Sequence, residues 1–361
     1  FEYKEADYGS TPKGLVYSLK VLDSWLYDGE PWKYLEMERY FKELEKDVEE
    51  GYFEALLKKD FIGNRHASFV ELLPKAGLTE ENAAKLAEKL AKKKASFRAD
   101  ELETIRREEE SLLQYQNEEN SKEALASLPV LTREDLEKDA EKYPKEEEVL
   151  SGRTLALYPT DAQGVFYLRL LFNTGDFSEE ELSYLSLLST CLAYMDTDHY
   201  SFQDLNAEIY LHSGGFGADL SAYNNFKEKN HYTGVFSAGF KFMEGEMEKG
   251  LEYLAEILFH THFTDEKRLS EILLEVKSRE RMRMEGAGHH YAVNRAMESF
   301  SPSAYYQERV KGIRYYHFIE KLEKDFRKNP KALGEKLSSL AKKLFRGKNL
   351  RCTIGGDLIL Y

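Results

Sequence analysis

The chain has 361 residues, 51 Lys and Arg against 65 Asp and Glu, and a formal charge of −14. That length is beyond the size at which one hydrophobic core keeps growing, so two or three compact units are expected. The acidity argues against a phosphate-binding face, and so against nucleic acid as a partner, and it fits a well-solvated surface.

Only Cys191 and Cys352 occur, which gives no disulfide framework and fits a reducing, cytoplasmic setting. No apolar run approaches the roughly 18 residues of a membrane span and no signal peptide is visible, so no membrane partner is expected. The chain starts Phe-Glu-Tyr without an initiator Met, as expected of part of a longer polypeptide.

Residues 1–74 read as an incomplete domain. Helices are predicted over Tyr17–Tyr27 and Tyr34–Phe61, the second carrying a stripe of Leu35, Met37, Tyr40, Phe41, Leu44 and Val48. A strand is predicted over Ala67–Leu73, stopped by Pro74; one strand cannot make a sheet. Residues 75–149 change to Lys, Glu and Ala. Helices over about Leu78–Ala95 and Ala99–Asn117 set Leu86, Leu90 and Phe97 against Leu102, Ile105, Leu112 and Tyr115, the pattern of a helical hairpin linker. The runs Lys92–Lys94 and Glu108–Glu110 read as solvated faces, and Pro129 and Pro144 mark an extended crossing segment.

Residues 150–361 read as a complete α+β domain, an antiparallel sheet covered by a helical layer. Leu155, Leu157 and Tyr158 lead through a turn at Pro159–Gly164 into Val165–Asn173, and the two strands read as an antiparallel pair. Ser178 followed by Glu181 is a capping box before a helix with Leu182, Leu185, Leu188 and Leu192 on one face. A helix over about Ser201–Leu211 ends at Gly214 and Gly215, and strands follow at Phe216–Tyr223 and Tyr232–Phe240. Helices at Met247–His262, Asp265–Met284, Tyr291–Phe300, Ser303–Lys324 and Leu333–Phe345 lead to a last strand, Leu350–Ile354.

These residues carry a resemblance. The strand ending Asn173-Thr174-Gly175, the helix after it and the return strand G-G-x-x-A-x-x-S-A-Y at Gly214–Tyr223 resemble the repeating domain of the pitrilysin and insulinase zinc metallopeptidases, in the presequence-protease branch. FEYKEADYGSTPKGL, Trp25-Leu26-Tyr27-Asp28 and GHHYAVNRAMESFSPSAYYQERVKGIRYYHFIEKLE at 288–323 resemble the same branch. The resemblance implies that residues 1–74 are the C-terminal part of a second repeat domain, 75–149 the linker joining two halves, and 150–361 a non-catalytic third repeat. It also implies that the intact enzyme closes over an unfolded peptide of limited length, with the hairpin as hinge. The implied partners are the N-terminal catalytic half and a fourth domain of the same polypeptide, the latter carrying an Arg and Tyr pair that assists substrate binding.

The resembling family binds zinc through H-x-x-E-H, in which two His one helical turn apart hold the metal and the Glu takes a proton from its water. Neither H-x-x-E-H nor H-E-x-x-H occurs. The nearest approach, His317-Phe318-Ile319-Glu320-Lys321, ends in a cation. Counting back from Gly214, the family's motif falls on Leu187-Leu188-Ser189-Thr190-Cys191, which reads as packing. No catalytic residue and no metal ligand is therefore expected, no cofactor in this chain, and zinc only in the intact parent enzyme.

Remaining candidates read mostly as structural. His260 and His262 in a helix project about 200° apart, and a His near a helix C-terminus is favoured by the macrodipole. His289 and His290, in a loop entering a helix, are the substrate-binding candidates. Arg279, Arg281 and Arg283 are expected to face solvent. Gly214-Gly215-x-Gly217 ends a helix and enters a strand, the reverse of a dinucleotide fingerprint.

The reading is a non-catalytic portion of a zinc-dependent metalloendopeptidase, forming hinge and substrate-chamber wall. The alternatives are a free-standing peptide-binding or assembly scaffold with no catalytic partner, and a metalloenzyme using His260, His262 or His289.

Overall fold

A computed structural model describes Tyr3 and residues 8–9, 11–136, 142–225, 227–228 and 231–357. They fall into two compact units, Gly14–Glu141 on one hand and Phe1–Lys13 with Lys142–Tyr361 on the other. No helix among the described residues is long and apolar enough to cross a membrane.

The smaller unit is helical: α1 (Lys13–Trp25), α2 (Met37–Glu49), α3 (Tyr52–Leu56) with a π-helical turn at Leu57–Ile62, α4 (Leu78–Ser96), α5 (Ala99–Asn117) and α6 (Lys122–Ala126). The single helix expected over 34–61 is broken at Gly51, whose φ of 74° ends α2 and opens α3, a conformation open to a residue without Cβ. The strand expected at 67–73 does not form. Its residues have no regular structure, and Phe69 and Leu72 are 92 % and 91 % exposed, because backbone N–H and C=O groups need a ladder partner and this unit contains no described strand. α4 and α5 match their expected spans, and the Arg98 N–H donates to Glu101 Oε2 at 2.8 Å at the start of α5. The stripe expected to face inward is nevertheless exposed at Leu86, Leu90, Leu112 and Tyr115.

The larger unit is an α+β domain. Strands β1 (Glu146–Leu150), β2 (Arg153–Pro159), β3 (Val165–Asn173), β4 (Phe216–Asn224), β5 (Tyr232–Met243) and β6 (Leu350–Gly356) form one sheet in the order β1-β2-β6-β3-β5-β4. Four of the five pairings are antiparallel and β2–β6 is parallel. β2 and β3, read from sequence as partners, are thus separated by the last strand. Their connection, residues 160–164, can span roughly 17 Å when extended, enough to cross one intervening strand at about 4.8 Å per step. Asp357, just beyond β6, fixes that crossing by accepting the N–H groups of Ala162 (2.9 Å) and Gly164 (2.5 Å).

Helices α7 (Glu179–Cys191), α8 (Phe202–His212), α9 (Met247–Phe259), α10 (Glu266–Gly286), α11 (Gly288–Met297), α12 (Pro302–Val310), α13 (Ile313–Phe326) and α14 (Pro330–Leu344) complete this unit. The helix expected over 303–324 is two helices. At the break, a Cβ on Gly312 would lie 2.7 Å from Glu308 Cα, so a side chain there would displace backbone. Phe172, Phe236, Phe240 and Phe242 on the inner face of the sheet join Leu185, Leu188, Leu192, Ile257, Leu273, Ile319 and Leu337 from the helices in one core. Leu188 is fully buried. Its replacement in Leu188→Ala leaves a cavity and is expected to cost about 2–5 kcal/mol, read as a lowered urea midpoint with unchanged slope.

Candidate functional site

The helix on which the family's metal motif would fall is α7. It begins with the capping box read from sequence: Ser178 Oγ accepts the Glu181 N–H (3.3 Å) and Glu181 Oε2 accepts the Ser178 N–H (3.1 Å). Leu182, Ser183, Leu185, Leu187, Leu188 and Cys191 are all buried. Ser183 and Ser186 donate to the carbonyls of Arg309 (2.8 Å) and Val310 (2.6 Å), satisfying two C-terminal carbonyls of α12. Positions 187–191 offer no imidazole or carboxylate, and burial pushes the Cys191 thiol up to about 12, leaving it protonated and inert. These residues do not fit a zinc ion, and no step of metal chemistry can be built on them.

The histidines fall in separate places. The helix expected to run to His262 stops at Phe259, and Thr261 forms a β-bridge with Thr197. In this extended segment residues two apart share a side, so His260 and His262 do not diverge. His260 Nδ1 and His262 Nε2 each lie 2.6 Å from an oxygen of Asp198, and their hydrogen bonds, His260 first, hold that carboxyl below its usual range. Next to them His199 pairs with Glu256 at 3.0 Å. Among the described residues no group of three or more His, Cys, Asp or Glu side chains could hold a metal ion. His289 and His290 are exposed in the first turn of α11, their ring centroids 4.1 Å apart, on a helix that packs on α10 and α12. His317 is exposed and pairs with Glu320 at 3.3 Å. Arg281 and Arg283 face solvent as expected, whereas Arg279 is half-buried, its Nε without a hydrogen-bond partner.

The stretch at 288–323, which reads from sequence as a family signature, is an ion network. Arg309 is buried between Glu298 (2.8 Å) and Glu179 (2.9 Å), with its guanidinium over the Tyr305 ring. Arg314 reaches the same Glu298 oxygen at 2.6 Å, Arg295 the other at 2.5 Å, and Asn294 donates to the fully buried Glu308 at 2.8 Å. Burial works to raise the Glu298 pKa, but the hydrogen bonds from Arg314 and Arg309 outweigh it and hold the carboxyl below its usual value. The network joins α7, α11, α12 and α13. Sequence reasoning missed it because its partners lie as far apart as Glu179 and Arg309.

The surface with room for a ligand is the sheet face turned away from the helices. In-register neighbours there are Tyr167 with Lys241, Arg169 with Gly239, and Leu171 with Ser237. Two grooves open on it. One, of about 580 Å³, is lined by residues including Thr154, Leu171, Tyr223 and Val235. The other, of about 330 Å³, is lined by residues including Arg169, Gly215, Gly217, Asp219 and Gly239. The glycines bare the strand backbone, and charged and aromatic side chains stand beside them. Such a surface can hold an extended chain through main-chain and side-chain contacts, but it brings no nucleophile, base and orienting group together.

The profile of the associated domain of M16 peptidases, subfamily C, matches residues 72–322. "Protein HypA" of Clostridium perfringens is 32 % identical over 99 % of this chain and 36 % of its own length. "Presequence protease 1, chloroplastic/mitochondrial" of Arabidopsis thaliana is 24 % identical over 95 % of this chain and 32 % of its own. The chain therefore spans about a third of the length of these curated relatives. A solved structure, a conserved protein from Enterococcus faecalis V583, superposes with a TM-score of 0.45 at 14 % identity, covering 60 % of this chain and 49 % of that one.

Two outcomes are expected. A carboxylate held below its usual pKa contributes stability that is complete above its unfolded value, near 4.5 for Glu298, and is lost as pH falls through the folded value. Glu298→Gln should therefore melt below the parent at pH 7, with the gap closing as the pH drops under about 4, as read from melting temperature against pH. Writing the absent motif with Leu187→His, Thr190→Glu and Cys191→His should lower the melting temperature and give no zinc-dependent peptidase activity, because buried imidazoles would lack orienting partners. A triple variant as stable as the parent and active on peptide would show a working site geometry in α7.

Proposed function

The chain belongs to the peptidase-associated family of M16 subfamily C, and from that premise we propose that it is a non-catalytic portion of a zinc-dependent metalloendopeptidase similar to presequence protease. Its larger unit would wall the chamber in which unfolded peptides are degraded, and its helical unit would serve as hinge. The observation that carries this reading is the contrast between the two faces of the sheet. The helix-covered side packs leucines where a metal motif would stand, whereas the other side offers a glycine-floored polar surface. Peptide contact is assigned to that open face. His289 and His290, exposed on the helical layer, would meet peptide only where another part of the polypeptide brings it there.

The domain limits of the reading remain 1–74, 75–149 and 150–361, with strand β1 (Glu146–Leu150) as an extra edge of the last. The partners proposed are the catalytic half and fourth domain of the same polypeptide, with zinc held in the former. Main-chain recognition at the open face suits unfolded segments of varied sequence. A reducing, cytoplasmic setting is supported by Cys191 and Cys352, both free thiols.

The test compares the chain alone with the full-length polypeptide that contains it. The chain alone should hold no stoichiometric zinc and hydrolyse no peptide, and the full-length protein should do both. Arg169→Glu in the full-length protein should raise KM for long unfolded peptides with little change in kcat. One tightly held zinc per isolated chain, lost on mutating His260 or His289, would overturn the proposal. A full-length sequence without H-x-x-E-H would instead favour the free-standing scaffold.

A further inference from the structure

β5 runs on past its neighbour. Phe240 faces Phe216, the first residue of β4, so Lys241–Met243 extend beyond the reach of that strand. The Lys241 carbonyl finds the Gly214 N–H at 2.8 Å. Two residues further on, the Met243 N–H points to the same side, since strand residues two apart share direction, and it meets a side chain from 240 residues away. Tyr3 Oη accepts it at 3.0 Å. The half-buried Tyr3 ring lies flat over Gly214, where an added Cβ would come within 2.7 Å of Tyr3 Cδ1 and 2.9 Å of Lys241 Cβ. Gly214 takes no left-handed φ, so what the position requires is space for the ring. Gly214 and Lys241 also line the end of the 330 Å³ groove on the open face, and Lys241 Nζ stands 5.3 Å from the Tyr167 ring centroid.

We propose that this corner, formed by Gly214, Lys241 and Met243, is a binding subsite for the tyrosyl side chain of an extended peptide, occupied in cis by Tyr3. The chemistry is specific to a phenol. The glycine floor accepts a flat ring, the Lys241 stem walls it, and the hydroxyl satisfies an N–H that the sheet leaves without a strand partner. A phenylalanyl ring would fill the same space and leave that N–H to water. Because Tyr3 is tethered, it competes at high effective concentration, and an incoming side chain binds only in the fraction of molecules from which Tyr3 has lifted. That an extended peptide reaches this corner rests on the function proposed above; the preference of the corner for a phenol does not.

The test uses the whole chain labelled with ¹⁵N-methionine, N-acetyltyrosinamide as probe, and the Met243 amide resonance as readout. With Tyr3→Ala the probe should shift that resonance and saturate it about tenfold more tightly than in the parent, as expected where Tyr3 fills roughly nine molecules in ten. N-Acetylphenylalaninamide should shift it less. Adding Gly214→Val should abolish the response, and the comparison of Tyr3→Ala with the parent stands whether or not that second variant folds. A Met243 amide unmoved by the probe in folded Tyr3→Ala, or moved equally in the parent, overturns the subsite and leaves Tyr3 a structural anchor. A tyrosine-free unfolded peptide, followed by fluorescence anisotropy, reports separately on the open face. If it fails to bind while the probe binds, the chamber-wall function falls and the subsite stands.

Discussion

Helix α7 has almost no outside, and the rest of the larger unit is arranged around that constraint. Its leucines at 182, 185, 187 and 188 and Cys191 are buried, so it must be enclosed by the sheet on one side and by other helices on the rest. Enclosure creates a polar problem, since helices that meet it end-on bring unsatisfied carbonyls into an apolar setting. Ser183 and Ser186 solve it by donating to the last carbonyls of α12. The same enclosure decides what α7 can do chemically. A ligand pair at 187 and 191 would have to replace side chains with 1 % and no exposure, so the packing that makes the domain stable is incompatible with an open metal position.

The ion network at 288–323 is the second consequence. With α7 buried, its N-terminus becomes the place where α11, α12 and α13 are registered against it, and Glu179 in its first turn supplies the contact to Arg309. A buried arginine is tolerable only when its donors are matched; Glu298, Glu179 and the Tyr305 carbonyl match them here. Such a network contributes less to net stability than to fixing one arrangement of helices. It gives a physical content to a stretch that from sequence reads as a signature.

Local signals were the legible ones. The capping box at Ser178, the helices at 78 and 99 and strands β3, β4 and β5 could be read because periodicity and caps are written in consecutive residues. Neighbour relations in the sheet were not, because β6 lies almost two hundred residues from the strands it separates and no turn motif announces it. The side on which His260 and His262 stand was misread for a related reason. Their direction depends on whether the helix continues, and the bridge from Thr197 to Thr261 that ends it is a tertiary contact. The open face could be inferred from alternation in β3, but the groove in it depends on Gly239 and Gly217 lying side by side, a matter of register.

The helical unit poses the remaining physical question. Ordering each residue costs about 1–2 kcal/mol of backbone entropy, and in a stable domain that is offset chiefly by burial. Among residues 14–136 only Ser24 is buried, while Phe61, Phe69, Leu72 and Leu131 stand largely exposed. Pairs such as Lys92 with Glu88 at 2.6 Å support single helices, but exposed pairs of this kind contribute only a few tenths of a kcal/mol. A segment so rich in aromatic and aliphatic side chains, with so little of them covered, lacks the burial that would hold it in one arrangement by itself. Its sequence is that of a surface made to be covered, which is what the proposed place between two halves of a longer enzyme would supply. The segment at 67–73 states the same need in backbone terms: a run with the composition of a strand, fully exposed and unpaired, whose N–H and C=O groups and apolar side chains would both be satisfied by the edge of a further sheet.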